Sequence, residues 1–533
     1  MAVSSSFFTL VTVGLLRRAG SSRAQPADLQ VGPRDKAFPT FFVPDLVSST
    51  CEGKDGCQLT SITATAAAST TRSIAAPYAL VEFYAPWCAQ CQAFAPAMEL
   101  LGNAFNRGNS PVQVARVNCA AQRPVCRAWG VSGLPTLLAG ATVEFALSDG
   151  RTDAADVEPL ELTQPDSAQA IANWIADKWS FTQKLAEPNA FNTELATLIR
   201  SRLGDGSTST GGSASNYRQQ VDHDIELALV KAVQTMLLDL EHVRRKADKA
   251  AAVWPAVVAD THVEKLQANA GPPQLIERCE PPPAYKELWT AARAFAQLLG
   301  QLPERHRHCR ESVSAVELFI EGVRYPVVRP GVAGAHPGQG RASTDVFLRA
   351  WRPCGHLIQS YDSDWNACSG TFGFQRGWPC GLWLLLHSAT MGLAEMDGSI
   401  AAERGRGESV PTAVAVSHAK NGPAAGIVAI RGFVERFFDC VKCRRDFVEM
   451  AQGAETTVST GRDVMLWLWR SHNTVTSRLL KDQERNGGEN PFEHDAAHPR
   501  QLWPVVGDDS TAQPTERRSV VERTQMMMQR LSH

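Results

Sequence analysis

Arg376-Gly377-Trp378-Pro379-Cys380-Gly381-Leu382-Trp383-Leu384-Leu385-Leu386-His387 decides how the second half of the chain folds. Pro379 stands where a helix can start, because a first-turn proline gives up no intrahelical hydrogen bond. On that helix Cys380, Trp383 and His387 fall at i, i+3 and i+7 and share one face. A flat aromatic beside a hydrogen-bonding ring suits a planar cofactor. Downstream, Phe433, Phe437 and Cys440 repeat at i, i+4 and i+7, and Cys440-Val441-Lys442-Cys443 follows. A third stretch runs Trp467-Leu468-Trp469-Arg470-Ser471-His472-Asn473-Thr474-Val475-Thr476-Ser477-Arg478-Leu479, and a fourth Pro499-Arg500-Gln501-Leu502-Trp503-Pro504. Taken singly, each Trp or His reads equally well as core packing. Their order carries the signal.

Together these four stretches resemble the FAD-binding domain of the Erv/ALR sulfhydryl oxidases, over residues 345–506. The resemblance implies an all-α, FAD-binding helical bundle. It implies cofactor contacts from Arg376, Trp383, His387, Asp446, Trp469, His472, Asn473, Thr476, Arg500 and Trp503. An arginine at 500 is able to hold a pyrophosphate with two parallel hydrogen bonds. Cys440 and Cys443 become the redox pair, with Cys443 beside the flavin, and Cys368–Cys380 matches a structural disulfide. The chain departs from the family where it has Thr476 for Asn, Arg500 for Lys, and Asp446 near a usual His. No third CxxC follows the last Trp.

At 533 residues the chain has room for two to four domains, with 44% hydrophobic and 20% charged residues typical of globular protein. A net charge of −2 supplies no field toward nucleic acid or acidic membranes, so neither is an expected partner. No apolar run is long enough for a spanning helix. Residues 1–25 hold a candidate signal peptide: the apolar run Phe7–Leu16 precedes Arg17-Arg18, with the charges on the wrong side of it, so a disordered N-terminus is the alternative. The 13 cysteines fall mostly in close pairs, which fits an oxidising compartment and hence the secretory pathway. Zinc wants two CxxC pairs near each other, and here they lie in opposite halves, so no metal is expected. The odd count leaves one thiol over, with Cys354 the candidate. The partners of Cys51, Cys57, Cys279 and Cys309 stay open.

Residues 38–185 alternate as α/β. Tyr78–Tyr84 is a short, unbroken apolar strand. Ala85-Pro86-Trp87-Cys88-Ala89-Gln90-Cys91 ends it and opens a helix, where free N–H groups and the helix dipole stabilise a thiolate. A second strand spans 112–119, Trp129-Gly130-Val131-Ser132-Gly133-Leu134-Pro135-Thr136 follows, and an amphipathic helix over 167–180 closes the unit. This arrangement resembles a thioredoxin domain, which implies a cis-proline at Pro135 facing a redox pair at Cys88 and Cys91. The family usually has Gly-His between the two cysteines; Ala89-Gln90 predicts a less stabilised thiolate and a weaker oxidant. Cys119 and Cys126 lack redox spacing and read as a staple.

Residues 186–330 read as a helical spacer: a Gly/Ser-rich loop at 204–216, a helix over 217–250 and another over 284–302, with Cys279 and Cys309 in turns. His306 and His308 beside Cys309 read as a solvated turn. Residues 330–343 mark a boundary, 400–426 an irregular insertion and 507–533 a polar tail. The fold class is therefore multidomain: an α/β thioredoxin-like domain, a helical spacer, then an all-α Erv/ALR-like bundle. That order resembles the quiescin sulfhydryl oxidases and implies a relay from reduced protein thiols through Cys88/Cys91 and Cys440/Cys443 to FAD and O₂, giving H₂O₂. Two alternatives remain: an isomerase-like thiol exchanger with a degenerate flavin domain, and a non-enzymatic scaffold stapled by disulfides.

Overall fold

The computed structural model describes residues 37–46, 57–59, 61–62, 76–148, 150, 154–160, 168–203, 214–260, 283–323, 343–356, 365–369, 376–399, 422–485 and 492. The elements, in order, are β1 (Tyr78–Tyr84), α1 (Ala89–Phe105), β2 (Val112–Asn118), α2 (Arg123–Ala128), β3 (Thr136–Ala141), α3 (Thr142–Leu147), β4 (Val157–Pro159), α4 (Ala168–Trp179) and α5 (Pro188–Leu203). Then come α6 (Ala214–Asp260), α7 (Pro283–Leu299), α8 (Arg307–Gly322), α9 (Thr344–Ala350), α10 (Gly377–Met396), α11 (Pro423–Phe437), α12 (Val441–Met450) and α13 (Gly461–Arg485).

The sheet runs β2-β1-β3-β4, with β1 parallel to β2 and antiparallel to β3. β1 is buried from Ala79 to Tyr84. A strand covered on both faces has no use for polar alternation, which is why it reads as an apolar run. Its one break, Glu82, lies opposite Arg116 of β2. The closing helix α4 buries Ile171 and Ile175 and leaves Trp174 half-buried.

The helical half is organised on α10. Pro379 lies in its first turn, and Leu384, Leu385 and Leu386 are all buried. Each such side chain contributes about 1.5–3 kcal/mol over exposure. α10 packs on α6 and α13, and α11 packs on α7, where the rings of Phe295 and Phe433 stack at 3.9 Å. Gly381 is required on α10, because a Cβ there would sit 2.3 Å from the Trp365 ring.

The spacer is more than a connector. Asp224 of α6 is fully buried and accepts the backbone N–H groups of Asn366 (2.9 Å) and Cys368 (2.7 Å), so α6 fixes the segment that carries the Cys368–Cys380 disulfide. Periodicity finds α6 but not this end-on hydrogen bonding.

Several expectations change. Cys354 is not the spare thiol: it is bonded to Cys309, which tethers α8 to the turn at 353–355. The 306–309 stretch is not a solvated turn. His306 and Cys309 are buried, and Arg307 and His308 face solvent, because α8 starts at Arg307 and turns Cys309 inward. Residues 423–426 belong to α11 rather than to an insertion, since Pro423 can occupy a first helical position. Residues 214–216 likewise open α6 instead of ending the loop. Residues 1–25, Cys51, Cys279, the 330–342 boundary, 400–421, Arg500, Trp503 and the 507–533 tail lie outside the described residues. No helix among the described residues is long and apolar enough to cross a membrane.

Candidate active site

Cys88 is the N-cap of α1, with extended backbone (φ −77°, ψ 118°) and no side-chain cap of its own. Cys88 and Cys91 are free thiols, both buried. The Leu134–Pro135 peptide is cis, and the Cys88 Sγ lies 3.8 Å from the Leu134 carbonyl oxygen. Behind the pair stands Glu82, completely buried, its two carboxyl oxygens without a hydrogen-bond partner among the described residues. Burial pushes its carboxyl up to about 8, against the opposing pull of Arg116. Burial also drives the Cys91 thiol upward, followed by its hydrogen bond with Cys88 and by the charges of Cys88 and Glu82. Glu82 is thus a buried carboxyl, protonated at neutral pH, whose charge when ionised is felt at Cys91. The sequence reading missed it, although a lone acid inside an apolar strand was the available signal. Arg116 sits beneath, fully buried, 3.3 Å from Asp45 and 3.2 Å from Glu99.

The second pair is a disulfide. Cys440 caps α12, and its Sγ accepts the Cys443 N–H at 3.3 Å. Cys443 opens onto a cleft. Arg376, Cys380, Trp383, Phe447, His472, Thr476 and Arg478 line it on one side, and Trp87 and Ala89 of the first redox loop line it on the other. Trp383 and His472 stack with ring centroids 4.3 Å apart and planes 6° apart, a flat wall. Burial lowers His472 well below the usual imidazole value, helped by His387 and Arg376, so the ring is neutral. Arg376 is buried and approaches the Cys380 sulfur to 3.3 Å.

Of the ten expected cofactor residues, Arg376, Trp383, His472 and Thr476 line the cleft. His387 stands behind His472, its Nε2 3.4 Å from the Nδ1 of His472, and burial drops it to about 3. Trp469 is buried outside the lining, with no partner for its Nε1 among the described residues, and Asn473 is also outside it. Asp446 pairs with Lys442 (3.1 Å) and with Arg478 rather than facing the cleft. Arg478, Trp87 and Phe438 are lining residues the sequence reading did not choose. Trp87 Nε1 and Arg478 Nε are buried donors with no partner among the described residues. Flat aromatic walls, a guanidinium and unsatisfied donors fit a planar cofactor carrying anionic groups.

The two redox loops meet. Leu134 and Cys440 pair as an isolated parallel bridge, and the Leu134 N–H donates to the Asp439 carbonyl at 3.0 Å. The Trp87 and Phe438 rings lie 5.1 Å apart. Gly133 permits the approach, since a Cβ there would sit 1.8 Å from the Val441 side chain.

Each cysteine pair falls inside a family match: the chain matches the Thioredoxin family over residues 62–157 and the Erv1 / Alr family over 380–496. The chain carries a thioredoxin domain and an Erv1/Alr domain. It is similar to Sulfhydryl oxidase 1 of Oryza sativa subsp. japonica, with 23% identity over 436 residues, 80% of this chain and 67% of the relative. It is also similar to Sulfhydryl oxidase 2 of Arabidopsis thaliana, with 24% identity over 445 residues, 82% of this chain and 70% of the relative. A solved sulfhydryl oxidase fragment from human matches 36% of this chain and 64% of its own, at 22% identity and a TM-score of 0.25. Among the described residues, Cys119–Cys126 and Cys368–Cys380 are disulfides, and Cys57 is disulfide-bonded as well.

Proposed function

We propose that the chain is a flavin-dependent thiol oxidase that introduces disulfides into reduced protein thiols. The sulfhydryl oxidase relatives and the Erv1/Alr domain support thiol oxidation, and they do not favour an exchanger with a degenerate flavin domain. The observation that carries the relay is the shared cleft, lined by Trp87 and Ala89 beside the first redox pair, by Cys443 of the second, and by Trp383 of α10 and His472 of α13.

The cycle starts with Cys88–Cys91 as a disulfide. A substrate thiolate attacks Cys88, and Cys91 departs as a thiolate. The substrate's second thiol then attacks the substrate sulfur, which releases oxidised substrate and leaves a Cys88/Cys91 dithiol. The Cys88 thiolate next attacks Cys440, and Cys443 departs. Cys91 gives its proton to the ionised form of Glu82 and attacks Cys88, restoring the first disulfide and leaving Cys440 and Cys443 reduced. The Leu134–Cys440 bridge, with the Leu134 carbonyl beside the Cys88 sulfur, holds Cys440 near Cys88 for this exchange.

Arg376, Trp383, His472, Thr476 and Arg478 would hold the FAD, with Arg500 and Trp503 as further ligands. When bound, the flavin would take two electrons from the Cys440/Cys443 dithiol and deliver them to O₂, giving H₂O₂. His472 stays neutral beside it and so adds no charge to the ring. The disulfides at 119/126, 309/354 and 368/380 support an oxidising compartment, and we place the protein in the secretory pathway.

The test is an absorbance spectrum of the purified protein before and after dithiothreitol in air. A flavin band that bleaches, returns and yields peroxide is the expected result. A protein that stays colourless after refolding with FAD overturns the reading.

A further inference from the structure

One cluster of buried charges belongs to neither redox site. Arg123 and Arg127 lie on α2 of the thioredoxin domain. Asp239 lies on α6 of the spacer, and Asp439 directly precedes Cys440. Both arginines reach Asp239 with two hydrogen bonds each: Arg123 at 2.9 and 2.6 Å, Arg127 at 3.0 and 2.9 Å. Both also reach Asp439, Arg123 by a short contact and Arg127 at 3.0 Å. Arg123 donates further to the Phe437 carbonyl (3.2 Å), and Arg127 to that of Val131 (2.9 Å). Three separate parts of the chain therefore meet in one set of two cations and two anions, with the half-buried Arg444 of α12 close enough to feel Asp439 and both arginines. The four side chains are 5–17% exposed, so the pairs are poorly screened.

The set is wired to the reacting atoms. Asp439 is held by its carboxylate, while its carbonyl accepts the Leu134 N–H. The Leu134 carbonyl in turn lies by the Cys88 Sγ, and Cys440 is the next residue after Asp439. Fixing Asp439 thus fixes Cys440 against the Cys88 loop. Asp239 touches neither cysteine. Without it, two guanidiniums would share one carboxylate in a buried site, and their repulsion would loosen that grip.

We propose that Asp239 is a positioning residue for thiol exchange between the two cysteine pairs: through Arg123 and Arg127 it clamps Asp439, and so presents Cys440 to Cys88. This rests on the relay proposed above and assigns the spacer a role in it. The spacer then aligns the two domains instead of merely joining them.

The test isolates the exchange from the flavin. In the Cys91→Ser/Cys443→Ser protein, Cys88 and Cys440 can form a disulfide with each other, consuming one oxidised glutathione and releasing two reduced ones. Titration in glutathione buffer, read by alkylation and mass, gives their effective concentration. Asp239→Asn is expected to lower it about tenfold, and Asp239→Glu to recover most of the loss. A value within twofold of the parent in Asp239→Asn overturns the proposal. Should Asp239→Asn fail to fold, Arg127→Lys keeps the charge but loses the fork, and an expected drop of about threefold takes its place; no drop there overturns it equally. In the otherwise unmutated chain, Asp239→Asn should lower kcat for a reduced protein substrate and leave KM unchanged. A fall confined to KM counts against the assignment. Because the glutathione titration needs no cofactor, a colourless protein would defeat the oxidase reading without deciding this one.

Discussion

The two CxxC sites begin alike and end differently. In each, the first cysteine is an extended N-cap: φ −77° and ψ 118° at Cys88, φ −74° and ψ 106° at Cys440. Both first sulfurs therefore sit at the positive end of a helix. Behind the second cysteine the surroundings diverge. Cys91 backs onto a buried carboxyl that can take a proton, whereas Cys443 opens onto the stacked rings of Trp383 and His472. The spacing makes a helix-terminal thiol pair. On the function proposed above, what stands behind the pair decides whether it exchanges with another thiol or passes electrons to a planar acceptor.

The strongest test of that difference removes one thiol from each pair. Cys443→Ser should abolish oxidation of every thiol by at least about 1000-fold in an oxygen-consumption assay. Cys88→Ser should stop only protein thiols and leave slow oxidation of small dithiols that reach Cys440 directly. Equal loss of both substrates in Cys88→Ser would break the division of labour.

Glu82→Gln tests the carboxyl. Glu82 is protonated at neutral pH and ionises near 8, so the wild-type exchange rate should climb as pH rises through about 8, and the variant should lack that limb and run about tenfold slower above it. Stability moves the other way. A folded value of about 8 against an ordinary 4.5 gives a contribution that is complete below 4.5 and lost as pH rises to 8. Thermal melts should therefore show Glu82→Gln gaining on the wild type across that window, by on the order of a few kcal/mol.

Gln90→His should change the first pair alone. A cation beside the thiolate stabilises the reduced state, so a redox titration against glutathione should shift toward the dithiol by about threefold, with flavin absorbance unchanged. The smallest functional effect is expected at Cys119–Cys126, buried and close by but with neither a carboxyl nor a cleft behind it. Replacing both with Ser should cost about 2–3 kcal/mol in a urea melt and leave turnover within twofold. A large loss of turnover there would make it a third redox pair.

Much of this was legible in the chain. β1 was readable because a strand buried on both faces is a short run apolar but for Glu82, and α10 because Pro379 and a seven-residue recurrence mark a helix start and its face. Both CxxC pairs, cis Pro135 and the cleft residues Arg376, Trp383, His472 and Thr476 follow from local motif order. Glu82 was legible but passed over. Local spacing determines what one helix end or one strand can offer, because those contacts span only a few residues. The Cys309–Cys354 bond, the placing of His387 behind His472, and the meeting of Arg123, Arg127, Asp239 and Asp439 were decided by the tertiary structure. Those groups lie tens to hundreds of residues apart, and no period or spacing encodes which helix faces another. The packing of α6 on α10, and of the thioredoxin loop on the turn before α12, chose these partners by filling space and pairing buried charge.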